Sequence, residues 1–495
     1  MNTTTTGAWL KNRIPVDQRN KYLIHGKDFI DDDAIERTLA TTMAGDRVRI
    51  REILQKSMAV ETLTPGETAE LLQVTDPEIF AEMEDAALAI KKKVYDNRIV
   101  TFAPLYMSTR CVNNCAYCGL RSENTGMIRG VLSQDQVRSE TEVLAGSIGH
   151  KRVIAVYGEH PDSDTEYIAE TLKTIYSVKM KTKSGIGSIR RVNVNAAPIT
   201  IEDLRILHET GIGTFQVFQE TYHHKTYATM HPANTLKGDY AWRLYCMHRA
   251  LEAGIDDVGI GSLFGLSDWK FEVMGMLHHA IELEKKFGIG PHTISFPRIE
   301  PAENTPLSIK IPNKISDTDF RRAVVVLRLA IPYAGMILTA RESAAMRNSL
   351  IPLGITQMDA SSQVGLGAYS DMKPQQPDRQ QFILGDTRTL DELICDLAAM
   401  GNITSFCTAG YRCGRTGKCI MDLLRSGQEG KFCKLNAVIT YREWLDDFAS
   451  AQTRVAGERI VETEIAEIKA KMPHVYDSFM ENYTRTAAGE RDLFF

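Results

Sequence analysis

Between about residue 98 and residue 375 the chain alternates short apolar runs with stretches of helical period. The apolar runs are Val100–Met107, Arg152–Tyr157, Arg191–Asn195, Thr214–Gln219, Asp257–Leu263, Thr293–Pro297, Met336–Thr339 and Gly354–Asp359. Strands that alternate with helices predict an α/β fold with a parallel sheet, and eight of them predict a closed (β/α)₈ TIM barrel. An open, doubly wound sheet is the competing arrangement. It is disfavoured because no dinucleotide glycine fingerprint opens a helix after any of these runs. The flanks read as helical. Asp31-Asp32-Asp33 precedes one periodic segment, Thr64-Pro65-Gly66-Glu67 is a helix start, and a helix from Asp76 to Tyr95 leads into the first strand. Beyond Asp378 the chain is polar, then helical, ending in amphipathic helices from Tyr441 to about Asn482. The expected organisation is an N-terminal helical extension (1–97), the barrel (98–378) and a C-terminal helical domain (379–495).

Composition narrows the setting. Lys+Arg 58 against Asp+Glu 63 gives a net charge of −5, which argues against bulk nucleic-acid binding. Met1-Asn2-Thr3-Thr4-Thr5-Thr6 has no apolar core of a secretory signal, and no run long enough to span a membrane occurs. The nine cysteines are odd in number and fall mostly in two groups. That pattern reads as metal binding in a reducing cytoplasm rather than as a disulfide framework.

The first group is Cys111-Val112-Asn113-Asn114-Cys115-Ala116-Tyr117-Cys118, beginning four residues after the first predicted strand. Catalytic residues of such barrels gather at the C-terminal ends of strands, so the motif falls on the functional face. Thiolates are soft ligands suited to iron–sulfur clusters and zinc. A structural zinc site wants four ligands, and no fourth Cys or His lies within about twenty residues, so the spacing favours a [4Fe–4S] cube with one open iron.

Other strand ends carry polar groups. Strand two ends in Tyr157-Gly158-Glu159, where a glycine lets backbone approach a ligand. Strand four ends in Gln219-Glu220-Thr221-Tyr222-His223, and the next helix contains Tyr240-Ala241-Trp242-Arg243. The later strands add His292, Arg298, Arg341 and Ser361. A guanidinium fork suits an amino-acid carboxylate, so Arg298 and Arg341 are candidates for substrate, unless Glu300 or Glu342 pairs them. The glycine-rich Val364-Gly365-Leu366-Gly367-Ala368-Tyr369 is expected to loop over the site and is no phosphate-loop motif. The second cysteine group, Cys407, Cys413, Cys419 and Cys433, lies in the C-terminal region and is a candidate second iron–sulfur or zinc site.

Taken together, Cys-x₃-Cys-x-Tyr-Cys, Tyr-Gly-Glu, Phe-Gln-Glu-Thr-Tyr-His, His-Thr-Ile-Ser-Phe-Pro-Arg and Cys-Thr-Ala-x-Tyr-Arg-x-Gly-Arg-Thr-Gly resemble the radical S-adenosylmethionine (SAM) aromatic-amino-acid lyases. The likeness is greatest to the tyrosine-lyase branch that serves [FeFe]-hydrogenase maturation, with the 2-iminoacetate synthases as cousins. It extends from the N-terminal helices to about Ser450. The resemblance implies that Cys111, Cys115 and Cys118 hold the SAM cluster and that Tyr117 packs near the adenine. It implies that Gly158 and Glu159 meet the SAM amino group, and Glu220 and Arg243 its ribose or methionyl end. Arg298, Arg341 and Ser361 would bind tyrosine, and His292 would touch an extra iron. The implied reaction breaks the tyrosine Cα–Cβ bond to give p-cresol and dehydroglycine. The implied partners are a ferredoxin or flavodoxin reductant and other hydrogenase maturation proteins. In the maturase branch a second cluster, held by Cys-x-x-Cys-x₂₂-Cys, turns dehydroglycine into carbon monoxide and cyanide. Here those three positions are Cys407, Gly410 and Cys433. Glycine cannot bind iron, so Cys413 and Cys419 are the available substitutes.

Overall fold

The computed structural model describes residues 9–371, 377–426 and 429–495. Its centre is a ring of parallel strands: β1 (Arg98–Ser108), β2 (Arg152–Tyr157), β3 (Arg191–Asn195), β4 (Phe215–Gln216), β5 (Val258–Gly261), β6 (Thr293–Ser295), β7 (Gly335–Leu338) and β8 (Gln357–Asp359). Each strand pairs with the next, and β8 returns to β1 through Val100 opposite Gln357 and Phe102 opposite Asp359. That last pairing makes the sheet a closed barrel and eliminates the open doubly wound alternative. All eight predicted strands are present, several with shorter ends. The fourth leaves the sheet after Gln216, and Glu220 then adopts a left-handed φ of 73°, making a single isolated bridge to Ser262, the residue after β5. Strain of that kind in a non-glycine residue costs about 1–3 kcal/mol and collects at functional sites.

β1 is the longest strand because its run of β-branched and aromatic residues is buried along nearly its whole length. Inside the barrel Phe102, Ile154 and Ile337 form a small apolar cluster, while the main core lies between strands and helices. The helices are delimited by their caps. Asp268 caps Trp269–Phe287, which stops at Gly288 in the left-handed region. The expected start at Thr64 is a full capping box with Glu67. Helix Pro77–Tyr95, capped by Asp76, packs on Asp317–Ala330 of the outer wall. Among the described residues, no helix is long and apolar enough to cross a membrane.

The C-terminal region contributes helices Leu390–Ala399, Glu429–Asp447, Ala451–Lys471 and Pro473–Ala487. It also supplies a ninth strand, β9 (Ile403–Ser405), that the sequence pattern did not single out. Three residues are too few to display a period. β9 pairs in parallel with the first residues of β1, Arg98 opposite Ile403. This attaches the second cysteine group to the barrel floor, at the end opposite the first.

Candidate active site

The mouth of the barrel encloses a cavity of about 250 Å³. Cys111, Cys115, Cys118, Tyr117, Gly158, Glu159, Glu220, Arg243 and Arg341 all line it, so residues spread over 231 positions of sequence converge there. The cysteine loop is pinned by backbone bonds: Val112 donates to the Glu159 carbonyl at 2.8 Å and Ala116 to the Met230 carbonyl at 3.1 Å. A Cβ on Gly158 would lie 2.1 Å from the Arg110 carbonyl oxygen, so only glycine lets strand two close against the motif. The three thiols face one space. Cys115 is the most buried, and burial pushes its thiol up to about 12. Three sulfurs converging on one cavity wall fit a cube with one iron left for a small chelating ligand.

The polar groups around the sulfurs form a connected set. Asn113 donates its amide to Glu159 at 2.6 Å and, more weakly, to the Cys111 sulfur at 3.7 Å, while accepting from the Lys237 backbone at 2.9 Å. Glu220 takes Lys237 at 2.8 Å and Arg243 at 3.2 Å. Burial alone would raise the Glu220 carboxyl, but the two cations outweigh it and hold it low. Tyr117 is fixed by His231. The His231 Nδ1–H donates to the Tyr227 carbonyl at 2.9 Å, leaving Nε2 to accept the Tyr117 hydroxyl at 2.8 Å. Burial and nearby Lys237 keep that imidazole well below its ordinary value, hence neutral. Sequence reasoning missed Asn113, His231 and Lys237. Asn113 lay inside the recognised motif; His231 and Lys237 sit in a loop with no distinguishing pattern.

The three substrate candidates separate. Arg341 lines the cavity, with its guanidinium 3.3 Å from the Phe382 ring centroid. Among the described residues no carboxylate is bonded to it, and desolvation lowers its pKa. Arg298 is elsewhere: it forks onto Glu342, with one bond of 2.8 Å, and donates to Asp317 at 2.6 Å. The alternative of pairing with Glu342 is the one realised. Ser361, in the left-handed region at φ 50°, accepts from the Leu390 backbone N–H at 2.8 Å, the first of the helix that Thr389 caps. Neither Arg298 nor Ser361 reaches the cavity.

The second cysteine group lies at the floor. Tyr411 inserts between strand starts, bonding Asp257 and Arg152, with Arg191 stacked 3.8 Å from its ring. A cavity of about 10 Å³, room for one water, is lined by Cys407, Gly410 and Cys433. Cys413 and Cys419 are exposed and do not line it. The Cys413 thiol instead donates to the Phe495 oxygen at 3.4 Å. The segment 492–495 closes this cavity. Asp492 pairs with Arg190 at 3.0 Å and Arg412 at 2.8 Å, Arg412 stacks 4.0 Å from the Phe494 ring, and Phe494 lines the cavity. His292, at the start of β6, is also on the floor side, but it does not line the cavity. Two thiols around space for one water do not fit a [4Fe–4S] cube, which takes three or four thiolates.

A closed parallel barrel with these three cysteines just beyond its first strand defines an enzyme of the radical SAM class. Comparison with known proteins agrees: the model of the radical SAM superfamily matches residues 105–276, and that of the biotin and thiamin synthesis associated domain matches 295–403. The crystal structure of HydG, a maturase of the [FeFe]-hydrogenase, is 44% identical and superposes with a TM-score of 0.89, covering 95% of this chain and all of that one. HydG from Carboxydothermus hydrogenoformans is 34% identical with a TM-score of 0.73, over 92% of this chain and 98% of its own. The 2-iminoacetate synthase of Escherichia coli (strain K12) is 27% identical over 353 residues, 70% of this chain and 88% of that protein. The chain therefore belongs to the HydG family, and it is a radical SAM lyase of the HydG and 2-iminoacetate synthase type. Membership of the radical SAM superfamily implies a [4Fe–4S] cluster and SAM.

Proposed function

We propose that this enzyme cleaves the Cα–Cβ bond of tyrosine to p-cresol and dehydroglycine, and that its own chemistry ends there. The observation carrying this reading is Arg341, a half-buried guanidinium stacked on Phe382, open toward the cavity that the three thiols share. Cys111, Cys115 and Cys118 would hold the cluster, which with SAM supplies a 5′-deoxyadenosyl radical. Tyr117, locked by His231, would pack near the adenine. Gly158 and Glu159 receive the SAM amino group, with Asn113 fixing the carboxylate. Glu220 and Arg243 orient the ribose or methionyl end. Arg341 takes the substrate carboxylate through its planar donors. Arg298 serves behind it as a positioning residue, since it holds Glu342, the neighbour of Arg341 in sequence. In this reading the mouth belongs to the barrel (98–378), the helices before residue 98 brace its wall, and the region from 379 onward closes both its ends. A ferredoxin or flavodoxin would supply electrons in the cytoplasm.

The fuller reading, in which a second cluster makes carbon monoxide and cyanide, is not favoured by the floor. Its middle ligand position is Gly410, and the nearby Cys413 and Cys419 face outward. Released dehydroglycine adds water to give glyoxylate and ammonium. The test is anaerobic turnover of reconstituted enzyme with SAM, dithionite and tyrosine, following cresol, 5′-deoxyadenosine, glyoxylate, carbon monoxide and cyanide. Cresol with glyoxylate and neither diatomic is the expected result. Both diatomics would overturn the reading of the floor, and absence of cresol would overturn the substrate.

A further inference from the structure

The segment 378–386 crosses the mouth of the barrel and is stitched to four different loops. Ile128 donates to its Asp378 carbonyl at 2.9 Å, Gln381 donates to Val364 at 3.1 Å, Ile383 to Pro301 at 2.9 Å, and Gly385 to Ala340 at 2.8 Å. Gln380 adds an antiparallel bridge to Gly365. These partners follow β1, β8, β6 and β7, so the strap's path is fixed by backbone bonds rather than by one contact. Where it passes the cysteine motif the backbones nearly touch: a Cβ on Gly119 would lie 2.6 Å from the Gln381 carbonyl oxygen. Only glycine after Cys118 admits the strap at this height.

The consequence is a side-chain amide aimed at sulfur. The Gln381 Nε2 lies 3.5 Å from Cys118 Sγ, and its Oε1 accepts the Tyr106 hydroxyl at 2.5 Å. A thiolate can only accept, so the amide must turn its N–H₂ toward Cys118 and its oxygen toward Tyr106. Tyr106 is itself buried in β1, which holds the hydroxyl in place. We propose that Gln381 is a positioning residue that donates an N–H···S hydrogen bond to Cys118 and thereby raises the reduction potential of the cluster bound there. The physical ground is charge. Reduction adds one electron from an external low-potential donor, [4Fe–4S]²⁺ to [4Fe–4S]⁺, and the positive end of an N–H dipole stabilises the added negative charge on sulfur. The adjacent Phe382 stacks on Arg341. One short strap therefore touches both a cluster ligand and the group assigned to the substrate carboxylate.

The proposal rests on Cys118 being a cluster ligand, and the experiment separates the two claims. Reconstituted enzyme without SAM is titrated electrochemically under anaerobic conditions, and the [4Fe–4S]⁺ signal is followed by electron paramagnetic resonance. Gln381→Met keeps the length of the side chain and removes the N–H donors. Its midpoint potential is expected to move to a more negative value with iron content unchanged, and Tyr106→Phe, which frees the amide to turn, is expected to move it less in the same direction. An unchanged potential in a fully loaded Gln381→Met enzyme overturns the proposal. Should that variant fail to hold its cluster, wild-type enzyme exchanged into deuterium oxide decides. Electron–nuclear double resonance is expected to find an exchangeable amide deuteron coupled to the cluster that Gln381→Leu lacks or, if that also loads poorly, that selective ¹⁵N-glutamine labelling identifies; no coupled glutamine amide overturns the proposal. Full iron retention in Cys118→Ala would instead show that the ligand assignment is at fault.

Discussion

The mouth and the floor of this barrel each gather cysteines, yet among the described residues the mouth alone turns three sulfurs toward one roomy space. At the mouth, three sulfurs on one loop face a roomy cavity and are surrounded by donors: Asn113, Lys237, Arg243 and Gln381. At the floor, two sulfurs separated by twenty-five residues share space for a single water, and the chain's own Phe494 lines it. The difference teaches that cysteine count and clustering are poor guides on their own. What matters is whether the backbone turns the sulfurs toward a common point and leaves room there.

The sharpest way to break the comparison is to remove one ligand from each end. Cys115→Ala should abolish 5′-deoxyadenosine formation, because two thiolates would be left to hold the cube. Cys433→Ala should leave cresol formation within about twofold, a surface-like effect. A large loss of cresol in Cys433→Ala would mean that the floor serves the lyase reaction after all. Arg341→Met should come next in size, raising the tyrosine KM by about 10–100-fold, the worth of a hydrogen bond to a charged group, while SAM binding is kept. An unchanged KM would remove Arg341 from the substrate site.

Adding the missing ligand sharpens the contrast from the other side. A Cβ on Gly410 would meet nothing closer than the Arg415 carbonyl at 3.6 Å, so Gly410→Cys is admitted without strain. Its iron content after reconstitution should exceed that of the wild type, and equal iron would show that the missing thiol is not what limits iron binding at the floor. The smallest expected effect is in pH. Near the mouth, burial would lower His224, but Asp28 at 3.0 Å and Asp32 at 2.8 Å raise it to about 9. A raised folded value means the stabilisation is complete below about 6.5 and is lost as pH rises through 9. Beside the floor, burial would raise Glu443, but Lys151 at 3.0 Å and Arg190 at 2.7 Å bring it to about 2. Its contribution is complete above about 4.5 and is lost as pH falls toward 2. Hydrogen exchange should therefore loosen residues 28–36 and 223–230 first in alkali, and 184–190 with 440–447 first in acid. Loosening in the reverse order would contradict both assignments.

The barrel was legible because β-branched runs such as Arg152–Tyr157 and Arg191–Asn195 are buried, short and separated by helical periods. The motif cysteines were legible because their spacing is local. Arg298 was misplaced as a substrate group because its partner, Glu342, lies 44 residues away and no local pattern announces the pair. Ser361 reads as a ligand in sequence and turns out to accept the first N–H of a helix that begins 29 residues later. Gln381 and Phe382 sit in a polar stretch with no period, and only the strap's stitching to four loops brings them over the mouth. Cys413 was the natural substitute for Gly410 by count, but one helical turn points it outward.

β1 has a further consequence. Its eleven residues span about 36 Å, Cys111 follows its upper end by three residues, and β9, paired to its lower end, stops two residues before Cys407. The two sulfur sets are mounted on one beam whose length is set by covalent geometry, not by how domains happen to dock. A ligand lost or gained at one end then leaves the strand that carries the other end in place. An architecture of that kind lets a lineage rewrite the downstream half of its chemistry while the radical-generating half is inherited intact.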